Sequence, residues 1–145
     1  MRAVVQRVRS AHVRVGGELI AEMDAGLLAL VAVRRGDDSQ HADRMARRLV
    51  HLRILPDEQG RMNRSLLDAG GTLGVVSQFT LYGDCSRGRR PFFGDAADPA
   101  EAEPLLTRLV GVARAEGVPV VTGRFGASMQ VALTNDGPVT VLLDE

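Results

Sequence analysis

Gly26-Leu27-Leu28-Ala29-Leu30-Val31-Ala32-Val33, GLLALVAV, runs for eight residues without one polar side chain. A continuous apolar run of this kind is the pattern of a central strand buried on both faces. LGVVSQFTL at 73–81 is another such run, apolar at its start and then polar at Ser77, Gln78 and Thr80. Working outward, Ala11, Val13 and Val15 alternate with His12 and Arg14, and Gly16-Gly17 follows as a hairpin signal. Val118–Val121, Met129–Leu133 and Val139–Leu143 complete the strands.

Two segments carry the helical period instead. Ala42, Met45, Ala46, Leu49 and Val50 share one face of a helix from Ser39 to His51, which Asp37, Asp38 or Ser39 can cap. Ala102, Leu105, Leu106, Leu109, Val110 and Ala113 form the stripe of a second, from Pro99 to Glu116. Asp98 stands at its N-cap, Pro99 at its first position and Glu101 as a return carboxylate, while Gly117 and Pro119 close it. The expectation is a single α+β domain over residues 1–145: layered antiparallel or mixed β-sheets, barrel-like, with two helices packed on one side. The order strands, helix, strands, helix, strands is not that of a doubly wound nucleotide fold.

Composition narrows the function. Of 145 residues, 45% are apolar and 25% charged, ordinary values for a globular chain. Eighteen basic and eighteen acidic residues cancel, which excludes a strongly basic nucleic-acid coat but leaves room for a local basic patch. One cysteine, Cys85, permits no intramolecular disulfide and no cysteine-rich zinc or iron–sulfur site. Four Phe, one Tyr and no Trp argue against a platform of many stacked aromatics. Arg2, Arg7, Arg9 and Arg14 break every apolar run near the start, so no signal-peptide core forms. Leu27–Val33 falls far short of the ~20 residues that span a bilayer. A cytoplasmic protein without a membrane partner is the expectation.

The common catalytic motifs are missing. Ser77 in GVVSQF lacks the flanking glycine of a nucleophile elbow. His12, His41 and His51 neighbour no plausible nucleophile in sequence, and no H-E-x-x-H occurs. GDCSRGRR at 83–90 has two glycines but Arg89-Arg90 where a phosphate-binding loop needs Lys-Ser/Thr. Cys85 has no local histidine and reads as a loop residue.

Three stretches remain. Ser77-Gln78-Phe79-Thr80-Leu81 turns polar at the carboxyl end of a buried strand, as strands do where they open onto a site; a half-buried strand with Gln and Thr facing water explains it equally. Asn135-Asp136-Gly137-Pro138 is built of turn residues and reads as a hairpin between Met129–Leu133 and Val139–Leu143. Arg87, Arg89 and Arg90 put three guanidinium forks into one loop, suited to phosphate oxygens or simply solvated.

SQFTL at 77–81 together with NDGPVT at 135–140 resembles the signature pair of the D-aminoacyl-tRNA deacylases. The likeness extends to MRAVVQRV at the start, GLLALV at 26–31, GRMNRSL at 61–67, RGRRPFF at 87–93 and GRFGASMQV at 123–131. It implies an enzyme that hydrolyses the ester between a D-amino acid, or glycine, and the 3′-terminal adenosine of tRNA. It implies a homodimer in which a cis Gly137-Pro138 of one subunit enters the pocket of the other. There its carbonyls hold the substrate ammonium and an L side chain collides with it. Ser77, Gln78, Phe79 and Thr80 would form the catalytic segment, with a backbone oxyanion site near Phe79 and Thr80. The terminal 2′-hydroxyl would help activate water, so no metal or cofactor is implied, and Thr80 without a base is a poor nucleophile. Arg7, Met129 and Asn135 join Gly137 and Pro138 in selecting and binding substrate; Arg87, Arg89 and Arg90 would meet tRNA phosphates, with no DNA partner expected.

Overall fold

The computed structural model describes residues 1–145. Its elements, in chain order, are β1 (Arg2–Val15), β2 (Glu18–Met23), β3 (Gly26–Ala32), α1 (Ser39–His51), β4 (Leu55–Pro56), β5 (Met62–Arg64), α2 (Leu66–Ala69), β6 (Thr72–Ser77), a 3-10 turn (Phe79–Tyr82), α3 (Pro99–Ala115), β7 (Val120–Thr122) and β8 (Gln130–Asp144).

The apolar run at 26–33 holds the centre of the main sheet, as its lack of a polar face requires. β3 lies between β1, antiparallel from Gly26–Val8 to Ala32–Arg2, and β6, parallel from Gly26–Thr72 to Val31–Ser77. Entry into β3 needs glycine, because a Cβ on Gly26 would stand 2.0 Å from the Thr72 carbonyl oxygen. β1 is the spine. Its first half pairs β3, its second half pairs β2, and β8 runs antiparallel along nearly its whole length. β7 follows β6 and approaches β2, so the mixed sheet curls into a nearly closed, barrel-like form. The smaller β4–β5 sheet stands apart from it.

α1 and α3 pack on the same side. Met45, Leu49 and Val50 of α1 and Leu106, Leu109 and Ala113 of α3 share one apolar core with Leu27, Ala29 and Leu73. A second cluster on the opposite face gathers Val8, Ala11, Val13, Met23, Leu28 and Val76. Asp38 caps α1, accepting from the Gln40 and His41 amides at 2.9 and 3.1 Å. His41, not a carboxylate, returns the bond, accepting from the Asp38 amide through Nδ1 at 3.2 Å.

Four expectations change in detail. Asp98 occupies the N-cap of α3, but its carboxylate bonds Arg35 Nη2 at 3.3 Å instead of the helix amides. A third helix, α2, is a single turn capped by Ser65 and Asp68, too short for periodicity to register. The strand expected to reach Leu81 ends at Ser77 and tightens into the 3-10 turn. The hairpin expected at 135–138 is absent: both of its arms belong to one strand, β8. Val131 and Leu133 pair with Val13 and Ala11, and Val141 and Leu143 with Val5 and Ala3. Between the Gln6–Thr140 and Val8–Asn135 pairs, β1 advances two residues while β8 advances five. The turn residues form a bulge that β8 throws out without leaving its partner.

Candidate active site

β6 ends at the carboxyl edge of the parallel pair β3–β6, where α/β architectures leave room for ligands. A cavity of about 570 Å³ opens there, lined by Ser77, Gln78 and Phe79 at the strand end, Phe93, Phe125 and Met129 on loops, and the first half of α3. Gly123 lets Met129 reach this wall, since a Cβ at Gly123 would meet Met129 Sδ at 2.6 Å.

The 3-10 turn is tied at its ends. Gln78 donates its amide to Val31 O at 2.8 Å, Leu81 to Gln78 O at 3.2 Å, and Gly83 to Thr80 O at 2.9 Å. The amides of Phe79 and Thr80, at the start of the turn, donate to no acceptor in the chain. They are orphan donors of the kind every helix start leaves. The Phe79 ring meets Phe93 edge-on, with centroids 5.1 Å apart. Thr80 is exposed, and its hydroxyl accepts from the Gln78 carboxamide, which has no basicity to activate it. Tyr82 closes the turn beneath Arg2, and burial pushes its phenol up to about 12, so it stays protonated at neutral pH. Three or more His, Cys, Asp or Glu side chains converge nowhere in a manner that would hold a metal ion.

The second signature lies on the β8 bulge. The Gly137-Pro138 peptide bond is cis, and Gly137 has φ 155°, a region that is essentially glycine's alone. A Cβ there would also stand 2.7 Å from the Val139 amide nitrogen. Side chains hold the bulge from both flanks. Asn135 accepts from the Val139 amide at 2.8 Å and donates to the Val139 carbonyl at 3.1 Å, replacing a missing strand partner. Arg7, largely buried, donates from Nε to Asp136 O and from Nη1 to Ile54 O, both at 2.8 Å. Arg9 Nε donates to the Asp136 carboxylate at 3.1 Å.

Thus Ser77, Gln78, Phe79 and Met129 meet at the cavity, with Thr80 beside them on the same turn. Arg7, Asn135, Gly137 and Pro138 form a separate group; none lines that cavity, and Gly137 and Pro138 face outward. Phe93 and Phe125 were not singled out as site residues from sequence. Their only signal is that RGRRPFF and GRFGASMQV put rings among glycines and arginines.

The arginine loop completes the surroundings. Asp84 and Phe92 exchange both backbone bonds, at 2.8 and 2.9 Å, and so close a loop whose tip carries Arg87, Arg89 and Arg90. The Ser86 amide holds the Asp84 carboxyl below the usual range. Every other arginine of the chain has a carboxylate or carbonyl partner. These three are exposed and have none.

The model of the D-Tyr-tRNA(Tyr) deacylase family matches residues 4–144. The chain belongs to that family. It is accordingly a D-aminoacyl-tRNA deacylase, a hydrolase. Proteins named D-aminoacyl-tRNA deacylase from Thermomicrobium roseum and Roseiflexus sp. are 56% and 57% identical to it, over 99% of this chain and 94% and 93% of theirs. One from Thermus aquaticus is 52% identical over 99% of this chain and 95% of its own. Among solved structures, the c-Myc DNA unwinding element binding protein superposes with a TM-score of 0.95 at 36% identity, covering 100% of this chain and 99% of that one. A probable eukaryotic D-amino acid tRNA deacylase shares the fold, with a TM-score of 0.83 at 17% identity, covering 99% of this chain and 98% of that one. No helix is long and apolar enough to cross a membrane.

Proposed function

We propose that this deacylase seats the 3′-terminal adenosine of an aminoacyl-tRNA in the cavity at Ser77–Phe79 and presents the acyl ester to the amides of Phe79 and Thr80. The observation that carries this reading is a pair of unpartnered N–H donors, Phe79 on the wall of a nucleoside-sized cavity and Thr80 next to it on the same turn. Fixed donors aimed where negative charge develops stabilise a tetrahedral intermediate without reorganising. Water attacks the ester carbonyl and gives a proton to the terminal 2′-oxygen as the 2′-hydroxyl passes its own proton to the 3′-oxygen; the acyl C–O bond to the ribose breaks, leaving the free amino acid and the 3′-hydroxyl. Ser77 and Gln78 hold the nucleoside, and positioning an already reactive ester supplies much of the acceleration. Thr80 serves through its backbone, consistent with a hydroxyl that has only a carboxamide partner.

Chirality is read by the bulge of a second copy. Gly137 and Pro138 are exposed and do not line the Ser77–Phe79 cavity of their own chain, which supports delivery across a homodimer. Their carbonyls take the substrate ammonium, and their rigid backbone meets an L side chain but not a D side chain. Glycyl esters, with nothing to collide, are cleaved as well. Arg87, Arg89 and Arg90 meet RNA phosphates in the cytoplasm. RNA and not DNA is the partner, because the scheme uses the ribose 2′-hydroxyl, which DNA lacks.

The test is hydrolysis of matched D- and L-tyrosyl-tRNA by the wild-type protein, with Pro138→Ala alongside. Loss of the D-ester alone, and erosion of that preference in the variant, is the expected result. Protection of both esters leaves a tRNA-binding protein without turnover. Full activity on a 2′-deoxy terminal adenosine removes the RNA-assisted step and leaves the deacylase standing.

A further inference from the structure

Phe92 is the most exposed large apolar side chain of the protein, at 69% of its free area, and it sits on the arginine loop. Nothing in the catalytic scheme uses it. Its backbone is locked by the two bonds to Asp84. Its ring lies against the bare Cα of Gly94: a Cβ on Gly94 would stand 2.3 and 2.4 Å from Phe92 Cε1 and Cζ. The ring is thus supported from beneath and open above, as a stacking surface must be. The next residue, Phe93, points the other way, lines the cavity and touches Phe79. Two adjacent residues therefore present one ring to the cavity and one to the outside, and the three unpaired arginines stand on the same loop. An exposed ring set among free guanidinium groups is the composition of a single-stranded nucleic-acid site, where rings take bases and arginines take phosphates.

Resting on the assignment of the cavity to the terminal adenosine, we propose that Phe92 stacks a base of the nucleotides just upstream of that adenosine, in the single-stranded acceptor end, while Arg87, Arg89 and Arg90 hold their phosphates. The site widens recognition from one nucleoside to the 3′ trinucleotide. It distinguishes the tRNA end from free aminoacyl-adenosine. Phe92 is a binding residue only; the ester is untouched by it.

The experiment compares wild-type protein with Phe92→Ala and Phe92→Trp on D-tyrosyl-tRNA, a D-tyrosyl-CCA trinucleotide and D-tyrosyl-adenosine. Base–aromatic stacking implies a KM rise of about 5- to 150-fold for F92A on the first two, with kcat unchanged. D-tyrosyl-adenosine should be cleaved by F92A as by wild type. F92W should keep the wild-type KM on the longer substrates. Since the chain has no tryptophan, its indole emission is a single reporter, and free CCA should quench it while adenosine alone should not. Equal kinetics of F92A and wild type on the trinucleotide ester overturn the proposal. So does an equal loss on D-tyrosyl-adenosine, which would place the ring in the terminal pocket or the fold. If wild type cleaves no D-ester at all, the parent reading falls, and the CCA titration of F92W still decides whether the ring stacks a base.

Discussion

The two signature segments are held in opposite ways. Ser77–Thr80 continues a strand buried in the core, and backbone bonds to Val31, Gln78 and Thr80 set its shape. Asn135–Thr140 bulges from a strand paired on one side only, and side chains set its shape: Asn135 across its neck, Arg7 and Arg9 on Asp136. The first segment faces a cavity of its own chain; the second faces out. On the proposed function, the segment that stabilises charge gains from being immobile, and a core strand supplies that. On the same proposal, the segment that reaches a neighbour's pocket has to project, and a projecting loop needs extra ties to stay rigid.

The largest test of this contrast is Gly137→Ala. The new methyl meets the Val139 backbone in a region of φ that alanine avoids, so the bulge must move. A displacement of about 1 Å at a positioning element costs roughly 10²-fold in rate. The expected outcome is a loss of that order in kcat/KM for D-tyrosyl-tRNA with circular dichroism unchanged. Wild-type kinetics would show that the bulge does not position substrate.

Removing the charge of the neighbouring loop, with Arg87, Arg89 and Arg90 all changed to Ala, should leave kcat intact. It should raise KM for tRNA about tenfold at low salt and flatten the salt dependence by roughly 0.7 of a log–log unit per lost phosphate contact. An unchanged salt slope would mean that these arginines are merely solvated.

Asn135→Ala opens the neck of the bulge. Two hydrogen bonds to Val139 go at once, worth about 1–3 kcal/mol together. A thermal melt should shift down by roughly 3–10 °C, and the D-over-L preference should fall more than the D-rate itself. A stable variant with full preference would show that Arg7 and Arg9 suffice.

Smaller effects belong to groups outside both signatures. Arg48 and Arg44 hold the Glu145 carboxyl below its ordinary value of 4.5. A lowered folded-state value stabilises the protein above pH 4.5, and this contribution is lost as pH falls through the lowered value. Glu145→Gln should therefore reduce stability at neutral pH by about 1 kcal/mol or less, as the arginines are half exposed. Its melting curve should converge on that of wild type in acid. Smallest of all, Cys85→Ser should keep full activity, because the thiol is exposed on the loop without a basic partner; a dead variant would restore a thiol mechanism.

Much was legible beforehand. The unbroken apolar stretch of β3 can only be central, and the helix stripes at 42–50 and 102–113 name their buried faces. Those are short-range properties: period, capping residue, terminating glycine. Legibility fails where the deciding partner lies far away in sequence. Asn, Asp, Gly and Pro at 135–138 have every local attribute of a hairpin turn, yet β1 pairs with the chain on both sides of them and keeps it in one strand. Asp98 has the chemistry of a cap, yet Arg35 draws its carboxylate away.

By itself, then, the sequence determined the family, the central strand β3 and the two long helices with their buried faces, because patterning and capping act between near neighbours. Only the tertiary structure decided that Phe93, Phe125 and Met129 enclose the end of β6, and that Phe79 and Thr80 keep free amides on the turn that follows it. It also decided that three arginines out of the chain's full set go unpaired on one loop. Cavities, orphan donors and unpaired charges arise from which distant residues arrive and which do not, and long-range packing settles that.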